Sequence, residues 1–249
     1  MDAIIVEHVS KRFRKITIPK RATIRDAILK FRTVRRPRDS ARFINAVSDV
    51  SFSAPRGSTL GIIGRNGCGK TTLLRLLAGI YTPDGGSIRI AGEVTPLLSL
   101  GVGFHPDMTG RENIRINGLI LGLTPRQVEN KADEIIDFAE LREFIDVPVR
   151  AYSSGMSMRL AFSVAATANP DVLLLDEVLS VGDEAFAAKC LARMRQFQEQ
   201  NKTIVLVTHD LPLLLEWCKT AIWIDRGSLR ANGPVQEIAD AYHADLLAR

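Results

Sequence analysis

The 249-residue sequence predicts an α/β fold: a mostly parallel sheet flanked by helices, with antiparallel β elements and an inserted α-helical subdomain. Three observations predict it. Short apolar runs at 59–64 (TLGIIG), 172–177 (VLLLDE) and 203–209 (TIVLVTH) lack the alternation of half-solvated strands, as strands covered on both faces do. Helical patterns lie between them, and strand–helix–strand alternation builds parallel sheets through right-handed crossovers. Each run ends in polar or glycine residues, and ligands of such sheets gather at the carboxyl ends of the strands.

The remaining elements follow in order. NAVSDVSFS (45–53) reads as a strand and KTTLLRLLAG (70–79) as a helix closed by Gly79. From roughly 107 to 168 the patterns turn helical. TPRQVENKADEIIDFAEL (124–141) offers Thr124 as cap, Pro125 in the first turn, and apolar positions at Val128, Ala132, Ile135, Ile136 and Phe138. A further helix is expected over 185–199. After His209 there is room for a closing helix, two short strands in AIWIDRGSLRA (221–231) and a terminal helix. The expected organisation is one domain over 1–249: a core of about 1–93 and 169–249, a helical subdomain of about 94–168, and a basic insertion of about 15–43.

With 46% hydrophobic and 24% charged residues the composition is that of a globular protein. No run of about 18 apolar residues is present to span a membrane. The start, MDAIIVEHVSKRF, lacks the charged leader and long apolar core of a signal peptide, so none is expected. Cys68, Cys190 and Cys218 form no CxxC or Cys/His cluster and suit reduced thiols in a cytoplasm. The net charge of +5 is uneven: residues 11–43 hold thirteen Lys/Arg against Asp26 and Asp39, a local +11, which leaves −6 for the remainder. One segment is basic and the body is mildly acidic, so no nucleic-acid partner is expected.

GRNGCGKT (64–71) matches GxxxxGK[ST] between a predicted strand and a predicted helix. Gly64, Gly67 and Gly69 let the backbone wrap closely and aim N–H groups at phosphate oxygens, and the helix that follows adds its positive end. Arg65, Asn66 and Cys68 occupy the variable places, Cys68 as a small filler rather than a nucleophile, and Thr72 follows the motif. Lys70 supplies a point charge for the β- and γ-phosphates, and the Thr71 hydroxyl suits Mg²⁺. Asp176, at the end of DVLLLDE, suits Mg²⁺ through water. Glu177, one residue on, suits orienting an attacking water and accepting its proton. His209 emerges at the same sheet edge, in reach of a γ-phosphate, while His8, His105 and His243 read as structural. The expected class is therefore a P-loop NTPase (RecA-like) core, with Lys70, Glu177 and His209 as catalytic candidates and Thr71 and Asp176 as metal ligands.

The order P-loop, YSSGM, LLLDE, SVGD, VTH resembles the nucleotide-binding domain of ABC transporters over essentially the whole chain. The family's Leu-Ser-Gly-Gly-Gln-type turn opens a helix. YSSGM (152–156) matches it at Ser153 and Gly155 and departs from it at Tyr152, Ser154 and Met156. Ser153 can cap the helix and donate to phosphate, and Gly155 leaves backbone N–H groups uncovered. The resemblance implies ATP and Mg²⁺ as cofactors and a homodimer in which Ser153, Ser154 and Gly155 close over ATP held by the other copy's P-loop. It also implies that Asp183 of SVGD contacts the dimer partner and that Phe13 stacks on adenine. The family usually has a glutamine between the P-loop and the helical subdomain. This chain has no Gln from 1 to 126; Ser99 or Leu100 stands near that place, and no Mg²⁺ ligand is expected in LLSLGVGFHP (97–106).

LLSLGVGFHPDMTGRENI (97–114), YSSGM and DEVLSVGD (176–183) together resemble the ATPase subunits of bacterial polysaccharide exporters, those for O-antigen, capsule and teichoic acid. That resemblance implies ATP hydrolysis driving export of a lipid-linked polysaccharide through a separate integral-membrane permease, with the subunit at the cytoplasmic face of the plasma (inner) membrane. Some O-antigen relatives append a carbohydrate-binding β-sandwich of about 100 residues, and this chain is expected to be too short to include one. A soluble ABC protein acting on ribosomes or nucleic acid usually has two cassettes or a long coiled coil, whereas one cassette and no sustained heptads are seen here. A P-loop small-molecule kinase has no use for YSSGM or His209.

Within the basic insertion, Pro19 and Pro37 bracket a helical pattern with Ile24, Ala27, Ile28, Phe31 and Val34 on one side. Thr23 and Asp26 fit a capping box, and Arg21, Arg25, Arg32, Arg35 and Arg36 supply charge. Such a helix is either a membrane-surface or partner-docking element, or a solvated charged helix packed on its own domain. On the docking reading, deleting 20–38 is expected to impair export far more than the isolated subunit's ATPase, measured as surface glycan against phosphate release.

Overall fold

The computed structural model describes residues 1–15, 43–97, 103–176 and 183–248. The helical pattern of the basic insertion, its Thr23–Asp26 capping box, Ser99, Leu100 and Glu177 lie outside the described residues.

Two sheets make the framework. β1 (Asp2–Arg14) pairs antiparallel with β2 (Phe43–Pro55) on one side and with β4 (Gly85–Ile90) on the other. The larger sheet contains β3 (Thr59–Ile63), β5 (Val94–Leu97), β6 (Val172–Asp176), β7 (Thr203–Val207), β8 (Thr220–Asp225) and β9 (Ser228–Pro234), in the order β5-β6-β7-β3-β8-β9. All its pairings are parallel except β8 with β9.

The absence of alternation in the apolar runs has a direct cause. Leu60 and Ile62 of β3, Leu174 of β6 and Val205 and Val207 of β7 pack on one side of the sheet, among residues of β1 and β2 and of helix α1 (Lys70–Leu77). Ile63, Leu173, Leu175, Ile204 and Leu206 face the other side. There they meet Phe162 of α4 (Ser154–Thr167), Phe186 and Met194 of α5 (Glu184–Glu199), Trp217 of α6 (Leu211–Trp217) and Tyr242 of α7 (Val235–Leu247). Both faces are dry, so the strands are apolar on both sides between their polar ends.

α2 (Gly110–Ile120) and α3 (Pro125–Ala139) form the helical subdomain with α4. α2 starts at a capping box of Thr109 with Glu112, and α3 at one of Thr124 with Gln127, with Pro125 as its first residue. In α4, residues 160–167 are all buried because the helix faces two ways. Leu160 and Val164 pack on α2 and α3, while Phe162, Ala165 and Ala166 pack on the sheet.

One boundary is corrected. Residues 94–97, assigned above to the helical subdomain, form β5 and pair with β6 from Val94↔Val172 to Leu97↔Leu175, so they belong to the sheet. VTPL is too short and too weakly apolar to show as a strand by periodicity; its pairing with β6 makes it one.

Phe162 is fully buried, with its ring 6.0 Å from that of Phe138 and 6.2 Å from that of Phe186. Phe162→Ala is expected to cost about 3–5 kcal/mol of stability, read from denaturant unfolding, because it empties the joint between α3, α4 and α5.

Candidate functional site

Strand register brings the polar ends together. Asp176 pairs with Val207, which pairs with Ile62, so three parallel strands end in one row. Gly64 lies two residues beyond Ile62, and His209 two beyond Val207. The Thr208 amide still donates to the Ile62 carbonyl (3.4 Å), holding the end of β7 against β3. His209 is exposed, and Asp210 behind it caps α6 by accepting from the Leu213 amide. Asp176 and His209 thus share the edge at which β3 enters its glycine-rich loop.

The loop 64–69 is fixed by its neighbours. A Cβ on Gly64 would stand 2.2 Å from the Ile224 carbonyl oxygen and 2.7 Å from the Cys68 sulfur. On Gly69, at φ 112°, it would stand 2.3 Å from the Ala46 carbonyl oxygen. Only glycine permits either approach. The Cys68 carbonyl accepts from the Gly227 amide (2.7 Å), and the Gly227 carbonyl accepts from the Ser48 amide (2.7 Å). β2, the β8–β9 turn and the loop are therefore one hydrogen-bonded unit.

Lys70 opens α1 and is buried, its ammonium donating to the carbonyls of Gly64 (2.7 Å) and Arg65 (3.2 Å). The cation is held inside the ring of backbone that precedes it. Asn66, Gly67 and Thr71 are exposed, Thr72 is half-buried, and Arg65 is half-buried with its Nε lacking a partner among the described residues. Burial pushes the Cys68 thiol upward, against the opposing pull of Lys70, so the neutral form dominates at neutral pH.

The second group of candidates lies elsewhere. Ser153 caps α4 by accepting from the Met156 amide (3.2 Å), as expected, and among the described residues only the Ser153 hydroxyl, at ordinary contact distance, comes near where a Cβ on Gly155 would stand. Ser153, Ser154 and Gly155 line an open cleft of about 530 Å³ with Glu140, Arg159 and Asp183. Residues 64–72 do not line it. Asp183 does two things the sequence reading missed: its Oδ1 caps α5 at the Phe186 amide, and its Oδ2 pairs with Arg159. The spacing of Asp183 before a helical pattern signalled the cap; nothing local signalled the pair.

Phe13 is half-buried at the end of β1, edge-on to Tyr81 with ring centroids 5.3 Å apart. Beside it, Lys11 and the Arg12 amide bond to Asp84, holding that carboxyl below its ordinary range. His8 pairs with Asp49 on the exposed surface (2.7 Å), and the His105 backbone amide donates to the side chain of Asn113.

An α/β core with a glycine-rich loop between β3 and a helix that opens on a buried lysine defines a P-loop NTPase. The fold matches that of the ATP-binding cassette MJ0796, solved as a dimer in a post-hydrolysis state bound to ADP and Pi, with a TM-score of 0.72 at 19% identity over 93% of this chain and 98% of that one. Residues 47–180 match the family model described as ABC transporter, and the chain belongs to that family. It is 52% identical over 243 residues to the O-antigen export system ATP-binding protein RfbB of Myxococcus xanthus, covering 97% of this chain and 56% of that one. It is 46% identical over 197 residues to RfbB of Klebsiella pneumoniae, covering 79% and 80% respectively. It is also 42% identical over 217 residues to the teichoic acids export ATP-binding protein TagH of Bacillus cereus, covering 87% and 39%. The chain thus spans little more than half of the first relative and less than half of the last. These relatives are of the exporter type that the sequence resembles.

Burial pushes Cys190 and Cys218 up to about 12, and the three thiols are unpaired. At pH 8 alkylation of all three is expected to be slow in the native protein and fast once it is unfolded, followed by mass spectrometry. Because the folded state holds these protons more tightly, the associated stability is intact below the ordinary 9.0 and fades as pH rises toward about 12.

Proposed function

We propose that the chain is the ATP-hydrolysing subunit of an ABC transporter that exports a lipid-linked polysaccharide. The observation that carries this reading is the phosphate cradle: a loop in which Gly64 and Gly69 have no room for a Cβ, closed around the Lys70 ammonium, beside the ends of β6 and β7. The residues present fit ATP and Mg²⁺. Backbone N–H groups of 65–70, Lys70, Thr71 and Thr72 would hold the phosphates, with Gly64, Gly67, Cys68 and Gly69 shaping the loop around Arg65 and Asn66. Thr71 and Asp176 would hold Mg²⁺, which neutralises phosphate charge when bound. Among the described residues no group of three His, Cys, Asp or Glu could hold a metal alone. Mg²⁺ in nucleotide sites needs none, since it keeps waters and phosphate oxygens as ligands.

In this scheme Glu177 accepts a proton from the attacking water, His209 contacts the terminal phosphate, and Phe13 stacks on the adenine. Ser153, Ser154 and Gly155 act on the nucleotide held by a second copy, with Asp183 at the same interface. The absence of residues 64–72 from the described lining of that cleft supports this division. The core then comprises about 1–97 and 169–249, and the helical subdomain about 98–168.

The resemblance to RfbB and TagH supports a permease partner, a lipid-linked glycan as cargo and a peripheral place at the cytoplasmic face of the bacterial plasma membrane. No helix among the described residues is long and apolar enough to cross a membrane, which is compatible with that place.

Glu177→Gln is expected to leave ATP binding intact, to lower hydrolysis by about 10²-fold or more, and to let ATP trap a dimer on size-exclusion chromatography. Lys70→Ala is expected to weaken nucleotide binding itself. Full-rate hydrolysis by a strictly monomeric form would overturn the shared-site reading, and co-purification with RNA that survives moderate salt would overturn the transport reading.

A further inference from the structure

The open cleft beside Ser153 is bordered by a charge cluster that the roles above leave unexplained, and Glu140, Arg159 and Asp183 of that cluster line it. Arg159 donates through one terminal nitrogen to Glu140 (2.9 Å) and through the other to Asp183 (2.5 Å). Lys189 donates to the far oxygen of Glu140 (3.1 Å) and to the Phe138 carbonyl (2.9 Å). The row Asp183–Arg159–Glu140–Lys189 alternates in sign and ties together the start of α5, the middle of α4 and the residue that ends α3.

Surface ion pairs usually contribute little, because solvent screens them and long side chains lose entropy. Arg159 differs from that case. Its side chain is only 19% exposed, while its two carboxylate partners are 52% and 60% exposed. Its guanidinium also lies over the Phe186 ring at 5.0 Å. A planar guanidinium can bridge two carboxylates at a fixed angle while stacking on a ring, and an ammonium cannot. The geometry is therefore held by three contacts at once.

Arg159 lies six residues into the helix that Ser153 caps, about 9 Å along a rigid rod. Asp183 divides its carboxylate between the Phe186 amide and Arg159. The turn at 153–155 and the Asp183 end of α5 are thus joined by one side chain, whereas the chain between them runs through the remainder of α4 and all of β6.

We propose that Arg159 is a positioning residue that holds the 153–155 turn and Asp183 in one preformed surface, so that both reach a second copy of the chain together. The proposal rests on the nucleotide-sandwich dimer of the preceding reading. Without Arg159 the two parts approach independently, and the ordering cost falls on dimer formation rather than on ATP binding.

The test uses the full chain carrying Glu177→Gln, with ATP-driven dimerisation followed by sedimentation velocity and ATP binding by the monomer followed separately. Arg159→Met is expected to raise the protein concentration needed for the dimer by about tenfold or more, the scale of a lost charge-assisted hydrogen bond, with monomer ATP affinity held within about twofold. Asp183→Asn is expected to weaken the dimer as well, and the double variant to be no worse than the weaker single one, since both remove the same link. Arg159→Lys, which keeps the charge without the bridge, is expected to recover only part of the loss, and it carries the test if Arg159→Met does not fold. Unchanged dimerisation, effects that multiply in the double variant, or monomer ATP affinity that falls in step with dimerisation would each overturn the role of Arg159. Failure of the Glu177→Gln parent to dimerise with ATP would instead remove the sandwich reading, and this inference with it.

Discussion

The constraint on which the rest depends is the close approach of backbones at the glycine-rich loop. The Ala46 carbonyl lies where a side chain on residue 69 would begin, and the Ile224 carbonyl lies where one on residue 64 would begin. Hydrogen bonds from Gly227 to Cys68 and from Ser48 to Gly227 lock that approach. The small antiparallel sheet is therefore a wall against which the loop is formed, as well as cover for one face of the core. With the loop so held, a lysine at the first position of α1 has its ammonium directed back into the ring, where two carbonyls receive it.

Burial on both faces of β3, β6 and β7 serves the same end. Strands that are dry on each side cannot slip by a residue without driving a core side chain into the opposite layer, so their ends stay level. Level ends are what put Asp176, Thr208 and Gly64 at one edge. α4 extends the constraint outward, since its buried residues serve the helical subdomain with one face and the sheet with the other. The turn at its start is thereby set relative to the sheet, and Arg159 sets it relative to α5.

Much of this was legible in the residues. GxxxxGK[ST] between an apolar run and a helical pattern specifies the loop, and Thr124-Pro125 with Gln127 specifies a helix start, because both depend on neighbours in the chain. Ser153 as a cap is legible for the same reason. Less accessible were features made by residues far apart. VTPL becomes a strand through its pairing with β6, some 78 positions away from Val94 to Val172. Asp183 stands just before the helix expected over 185–199, which made its cap findable, but its bond to Arg159 crosses 24 positions and leaves no local pattern. Phe13 reads as a ring for stacking on adenine, and its edge rests on Tyr81 because β1 runs beside the segment that follows α1.

The amino-acid sequence by itself determined the apolar strands β3, β6 and β7, the starts of α3 and α4, the glycine-rich loop and the family, since each is written in residue types at short, fixed spacing. Tertiary structure alone decided which polar ends share an edge, that the loop is walled by β2 and the β8–β9 turn, and that the 153–155 turn opens into a cleft apart from it. The physical reason is range: propensity, capping and motif chemistry act over a few residues, whereas sheet register and ion pairing between helices exist only after distant segments have packed.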